Sequence, residues 1–190
     1  SRGIPLHLDG ARLFNAAIAK TLPPWKLAAP FATVSICLSK GLGAPVGSIL
    51  VGSQALIARA YRYRKMYGGG MRQAGVIAAA GIHALEHHIE RLSDDHRRAH
   101  TFAEHLSTLP GFVITPAKVR TNLVYFGLES DHPLSVLGSD NKPRLVSELQ
   151  KHGVAITGGP YRLRAAFHLD VNDDQLSAAM AAFSAVSKAA

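Results

Sequence analysis

Ser35-Ile36-Cys37-Leu38-Ser39-Lys40-Gly41-Leu42-Gly43-Ala44-Pro45-Val46-Gly47-Ser48 carries the reading of this chain. An apolar, β-branched run ends in a lysine and enters a turn rich in glycine and proline. A strand followed by such a turn lifts Lys40 off the sheet and points it into a cleft. A lysine in a cleft sheds hydration, which lowers its pKa and makes it a nucleophile toward carbonyls. The bland alternative is a surface lysine at a strand end.

Working outward, residues 4–9 read as a short buried strand ending in Asp9. Residues 13–19 read as an Ala-rich helix stopped by Leu22-Pro23-Pro24. Residues 33–38 and 46–52 are the next strands. An amphipathic helix is expected over 54–66 and is broken by Gly68-Gly69-Gly70. Helices over 71–89 and 93–109 follow, the second with Ser93 as N-cap and Asp94 and Asp95 in its first turn. After Pro110-Gly111 the pattern becomes β-rich: strands over 112–114, 121–126, 154–156 and 163–168. A polar loop spans 129–143, a helix spans 143–152 and ends at Gly153, and a final helix capped by Asp173 or Asp174 runs to about residue 187. The expectation is an α/β chain in two parts, residues 1–90 and 91–190.

The 190 residues suffice for a sizeable core, and 47% hydrophobic content excludes a disordered chain. No charge-free apolar run reaches 18 residues, so no membrane span is expected. Cys37 is the only cysteine. It forms no internal disulfide, fits a reducing compartment and reads as a small core residue; a cytoplasmic location is the expectation. The start, Ser1-Arg2-Gly3-Ile4-Pro5, has no signal-peptide apolar region and enters a strand almost at once. The expectation is that sequence is missing upstream.

Lysine and arginine (21) exceed aspartate and glutamate (13), a formal charge of +8, which suits anionic partners. The densest basic run is Arg59-Ala60-Tyr61-Arg62-Tyr63-Arg64-Lys65. It reads either as a nucleic-acid surface or as a solvated helix face. His83 with His87, and His96 with His100, have helical spacing that permits metal binding, but no third ligand lies near, and no metal is expected.

Asp9 and Lys40 both end predicted strands. If those strands are parallel, both side chains face the crevice in which α/β sheets bind ligands. Asp9 pairs there either with Arg12 or with a cationic ligand nitrogen. An acid and a lysine in one crevice suit pyridoxal phosphate: the carboxylate keeps the pyridine nitrogen protonated and the lysine forms the Schiff base. Arg72, after three glycines and at an expected helix start, reads as an anion site. Arg164, inside an apolar run, is expected to need a carboxylate partner.

Three motifs in order carry a resemblance. His7-Leu8-Asp9-Gly10-Ala11-Arg12-Leu13-Phe14-Asn15-Ala16, Ser39-Lys40-Gly41-Leu42-Gly43-Ala44-Pro45-Val46-Gly47-Ser48 and Arg64-Lys65-Met66-Tyr67-Gly68-Gly69-Gly70-Met71-Arg72-Gln73-Ala74-Gly75 resemble the low-specificity L-threonine aldolase family. Residues 118–124 and 164–171 continue the resemblance. It implies a fold-type I pyridoxal-phosphate enzyme, represented by the C-terminal part of its large, mainly parallel-sheet domain and a small α+β C-terminal domain. It implies Lys40 as the Schiff-base lysine and Asp9 as the pyridine-nitrogen carboxylate. Arg12 is implied near the cofactor and the substrate carboxylate, and Arg164 as the second carboxylate arginine. Lys65 and Arg72 are implied near the cofactor phosphate, reaching an active site across a subunit interface. The implied cofactor is pyridoxal 5′-phosphate. The implied reaction is retro-aldol cleavage of L-threonine or L-allo-threonine to glycine and acetaldehyde. The implied partners are an amino-acid substrate and further copies of the chain, as a dimer or tetramer, with no nucleic acid and no membrane. Nothing in the chain matches the family's N-terminal phosphate cradle or the ring that stacks on the pyridine. The alternatives are a catalytically incomplete fragment or another fold-type I activity, such as decarboxylation or transamination.

Overall fold

A computed structural model describes residues 3–159 and 162–189. The chain divides into two compact units, Ser1–Ser93 and Asp94–Ala190, and each is described by itself.

The first unit is built on a three-stranded sheet in the order β1-β2-β3: β1 (His7–Asp9), β2 (Thr33–Cys37) and β3 (Ser48–Gly52). β1 and β2 are parallel, with Asp9 opposite Ser35; β2 and β3 are antiparallel, with Cys37 opposite Ser48. Helices α1 (Leu13–Lys20) and α2 (Pro24–Ala28) connect β1 to β2; α3 (Gln54–Met66) and α4 (Gly75–His87) follow β3. The proline pair does not simply stop the chain, as expected. α1 ends where Thr21 takes φ 51°, and Pro24 then opens a new short helix, because proline's fixed φ suits a first helical position. α3 begins at the Ser53 cap, whose Oγ accepts the Leu56 N–H at 3.4 Å. The expected strand over residues 4–9 shortens to β1 and is not buried: His7 and Asp9 are exposed and Leu8 half-buried. β1 lies at the sheet edge, so among the described residues one flank meets no neighbouring strand. All five residues of β3, at the other edge, are also exposed. The small core gathers Leu38, Leu42, Ala44, Ala84 and Leu92. Cys37 is half-buried at the end of β2.

The second unit is an antiparallel sheet in the order β4-β5-β7-β6: β4 (Phe112–Val113), β5 (Leu123–Leu128), β6 (Thr157–Gly159) and β7 (Arg162–Ala166). Val124 and Phe126 of β5 and Leu163 and Ala165 of β7 turn to the core. There they join buried residues of α5 (Leu92–Ser107), α6 (Arg144–Lys151) and α7 (Asp173–Lys188). Phe183 is fully buried, with its ring centroid 5.1 Å from Phe102, 5.9 Å from Phe112 and 5.9 Å from Phe126. The expected strand over 154–156 does not form; the pairing falls on the weaker β-formers Thr157–Gly159, which sit opposite β7.

Two caps differ from expectation. Ser93 lies inside α5, where its hydroxyl donates to the Glu90 carbonyl at 2.8 Å. α7 is capped by Asn172: its Oδ1 accepts the Gln175 N–H at 2.9 Å, and Gln175 Oε1 accepts the Asn172 N–H at 2.8 Å. This reciprocal box satisfies two otherwise free donors. Asp173 is committed elsewhere, accepting from Arg98 Nε at 2.8 Å and Arg97 Nη2 at 2.9 Å. Those two guanidinium contacts, Arg98 first, hold its carboxyl below the usual range. Asn172→Ala is expected to cost about 1 kcal/mol in urea unfolding, whereas Asn172→Ser retains most of the stability. Equal losses in both variants would show that the cap does not contribute.

Candidate active site

Because β1 and β2 are parallel, their C-terminal ends share one edge of the sheet. Asp9 ends β1, and Lys40 lies three residues beyond Cys37, the last residue of β2. At Asp9 the strand turns sharply: Oδ1 accepts the Ala11 N–H at 3.1 Å, and Gly10 N–H donates to the Ser35 carbonyl at 2.8 Å. Asp9 and Arg12 line one open groove of about 330 Å³, with Leu13 and Phe31 among its apolar walls. No ion pair joins Asp9 to Arg12. Arg12 Nε is buried and without a hydrogen-bond partner. A buried guanidinium nitrogen left without an acceptor is costly, and the described residues supply none for it.

Lys40 is exposed. The loop around it is nonetheless firmly held. Gly43 N–H donates to the Lys40 carbonyl at 2.9 Å, Ala44 N–H to Leu38 at 3.0 Å, and Leu38 N–H to Gly47 at 3.0 Å. Leu38, Gly41, Leu42 and Ala44 are buried and anchor the loop from below, which leaves Lys40 turned outward rather than desolvated. Gly41 is required by close approach: a Cβ there would come within 3.0 Å of both Asn15 Oδ1 and Leu92 Cδ2.

The sequence gives no hint of two further supports. His88 Nδ1 donates to the Leu42 carbonyl at 2.7 Å and ties the Lys40 loop to the end of α4. Asn15 is buried beside Gly41. Asn15 stands inside the first of the three motifs, but nothing in the local sequence gives it or His88 this supporting role; only the residue that each faces across the fold marks it.

Lys65 and Arg72 lie in the first unit at the glycine run. Lys65 folds over Gly70, where a Cβ would meet its Nζ at 2.9 Å and its Cδ at 2.7 Å. The glycine therefore leaves room for the ammonium. Arg72 is exposed and is not at a helix start: α4 begins at Gly75, and Gln73 takes φ 51° between them. The helix-dipole argument for Arg72 accordingly falls away, because the field decays within the first turn. Arg64, Tyr61 and Lys65 share the exposed face of α3, with the Arg64 guanidinium 4.9 Å from the Tyr61 ring.

Arg164 belongs to the second unit. It is not buried in an apolar strand, as expected. β7 alternates, so Leu163 and Ala165 enter the core while Arg164 stays exposed, and its Nε donates to Thr157 Oγ1 at 3.1 Å. Being exposed, it needs no buried carboxylate. His168 is exposed and lies 3.4 Å from Asp170. His83 stacks near His87 and His88, at centroid separations of 4.4 and 5.2 Å. Among the described residues no group of three His, Cys, Asp or Glu side chains is placed to hold a metal ion. No helix among them is long and apolar enough to cross a membrane.

The donor set fits pyridoxal phosphate: a carboxylate and a primary amine at one sheet edge, a buried guanidinium nitrogen lacking an acceptor, and exposed cations at a glycine turn. The beta-eliminating lyase family model matches residues 1–129. Low-specificity L-threonine aldolase 1 of Arabidopsis thaliana is 40% identical over 182 residues, covering 95% of this chain and 49% of that protein. The low specificity L-threonine aldolase of Escherichia coli K12 is 40% identical over 176 residues, covering 93% and 49%. The chain thus spans about half the length of these curated relatives. A Listeria monocytogenes structure, solved as a candidate L-allo-threonine aldolase, superposes with a TM-score of 0.76 at 20% identity, covering 97% of this chain and 52% of that one.

Proposed function

Since the chain belongs to the beta-eliminating lyase family, we propose that it forms part of a pyridoxal 5′-phosphate site that cleaves L-threonine and L-allo-threonine to glycine and acetaldehyde. The observation that carries this is the shared sheet edge of Asp9 and Lys40, with Asp9 and Arg12 lining one groove. The fold, that of fold-type I enzymes, agrees with it.

In this reading Lys40 holds the cofactor through Nζ, and Asp9 holds a proton on its ring nitrogen. Lys65 and Arg72 offer cations to its phosphate, from a second copy of the chain in a homo-oligomer. When bound, the cofactor supplies a sink for the electron pair released as the Cα–Cβ bond breaks. The protein's own task is orientation. Arg12 is the residue we assign to the substrate carboxylate, and Arg164 is assigned the same task; a carboxylate so held would fix the orientation of the breaking bond and recover part of the barrier as pre-paid entropy. The β-hydroxyl gives up its proton, acetaldehyde departs, and a proton returns to Cα to yield glycine.

The test is release of both products from threonine by the protein loaded with pyridoxal phosphate, read against Arg164→Gln. The expected result is equal amounts of glycine and acetaldehyde, with KM raised at least about tenfold in the variant. Carbon dioxide or an oxo acid in place of acetaldehyde would assign a decarboxylase or a transaminase instead.

A further inference from the structure

Beside Arg164, the open face of the second unit's sheet carries a constellation of other residues that the reaction above does not use. Alternate residues leave the core on β5 and β7, so Leu123, Tyr125 and Gly127 share a face with Arg162, Arg164 and Ala166. Tyr125 stands opposite Arg164 in register, and the Arg162 guanidinium lies 3.9 Å from the centroid of the Tyr125 ring. Tyr125 and Arg162 line a cavity of about 440 Å³, within the size range of small-molecule sites. Lys118 lines it too, and Ile114, Val119 and Leu128 contribute apolar surface.

Two features select a ligand. None of the described lining residues is acidic, and among the described residues neither Lys118 nor Arg162 makes an ion pair. Two cations around one cavity repel each other until an anion enters. The stacking also has direction: a guanidinium lying on a ring spends its face on the ring and keeps its N–H edge for an acceptor. The apolar lining then suits whatever carries the acceptor.

We propose that this cavity binds a small organic oxyanion, a carboxylate or phosphate borne on an apolar or aromatic body. The claim is independent of the cleavage reaction, because its site, its residues and its test need neither cofactor nor activity. The experiment is calorimetric titration of the purified protein with 4-phenylbutyrate and with phenyl phosphate, which separate the two sources of charge. 4-Phenylbutylamine supplies the body without the anion, and inorganic phosphate the anion without the body. Saturable binding of at least one of the first two is expected, with at least tenfold weaker binding of both controls. Arg162→Gln and Lys118→Gln are each expected to weaken it at least about tenfold, and Arg162→Lys to restore little, because the planar stack is lost. Both side chains are exposed, so these variants keep the fold, which circular dichroism checks. Equal binding of the amine, unchanged affinity in both glutamine variants, or no saturable binding because other parts of the protein cover this face would each overturn the proposal.

Discussion

Lys40→Ala is expected to lower kcat for threonine cleavage by more than about a thousandfold, and Lys40→Arg to do the same. Arginine keeps the charge but has no primary amine, so it separates electrostatic help from covalent attachment. The loop geometry makes the experiment clean. Lys40 is exposed and its side chain anchors nothing; the loop is held by its backbone bonds, by His88 and by buried Leu38, Leu42 and Ala44. Removing the amine is therefore expected to leave stability within about 0.5 kcal/mol. The visible absorbance of the bound cofactor should disappear in both variants while the melting temperature holds. Activity within tenfold of the parent in Lys40→Ala would end the proposed role of Lys40.

Phe183→Ala is expected to cost about 3–5 kcal/mol, the range for truncating a buried aromatic. Phe183 is fully buried and its ring meets three others, Phe102, Phe112 and Phe126. Each well-oriented aromatic pair adds about 0.5–1.5 kcal/mol beyond burial, and no neighbour can collapse into the void without abandoning such a pair. Domains of this size are stable by only about 5–15 kcal/mol, so the variant stands close to unfolding. Phe183→Leu, which keeps most of the volume, should lose less than half as much. Urea denaturation followed by near-ultraviolet circular dichroism gives both values, and a loss below about 1 kcal/mol for alanine would contradict the packing.

Much of this fold is legible where local chemistry agrees with the tertiary setting. α3 is readable over 54–66 because Gly68-Gly69-Gly70 ends it, and the structure adds the cap at Ser53. The differences share a cause: the fold puts a residue to a use other than its commonest one. Pro24 reads as a stop but opens α2. Asp173 reads as a cap, but its carboxylate is drawn to Arg97 and Arg98, leaving the cap to Asn172. Arg164 reads as buried because its neighbours are apolar, although Arg162-Leu163-Arg164-Ala165 already alternates with period two.

At the candidate site, Asp9 at the end of β1 and Lys40 in the turn after β2 are visible in the sequence as residues where apolar runs close on glycine turns. The burial of Arg12 Nε and the tether from His88 are not, since each depends on what another element brings to it. The Tyr125–Arg162 stack is a diagonal cross-strand pair and becomes visible only once the register of β5 on β7 is known.

The exposure of β3 has a colloidal consequence. Ser48-Ile49-Leu50-Val51-Gly52 is an uncharged, proline-free edge strand with Ile49, Leu50 and Val51 36%, 41% and 48% exposed. Such an edge is a template for a further strand. Association of this chain is therefore expected to rise with its concentration, which light scattering across a dilution series checks, and a charge placed at Leu50, at the centre of the strand, is expected to suppress it.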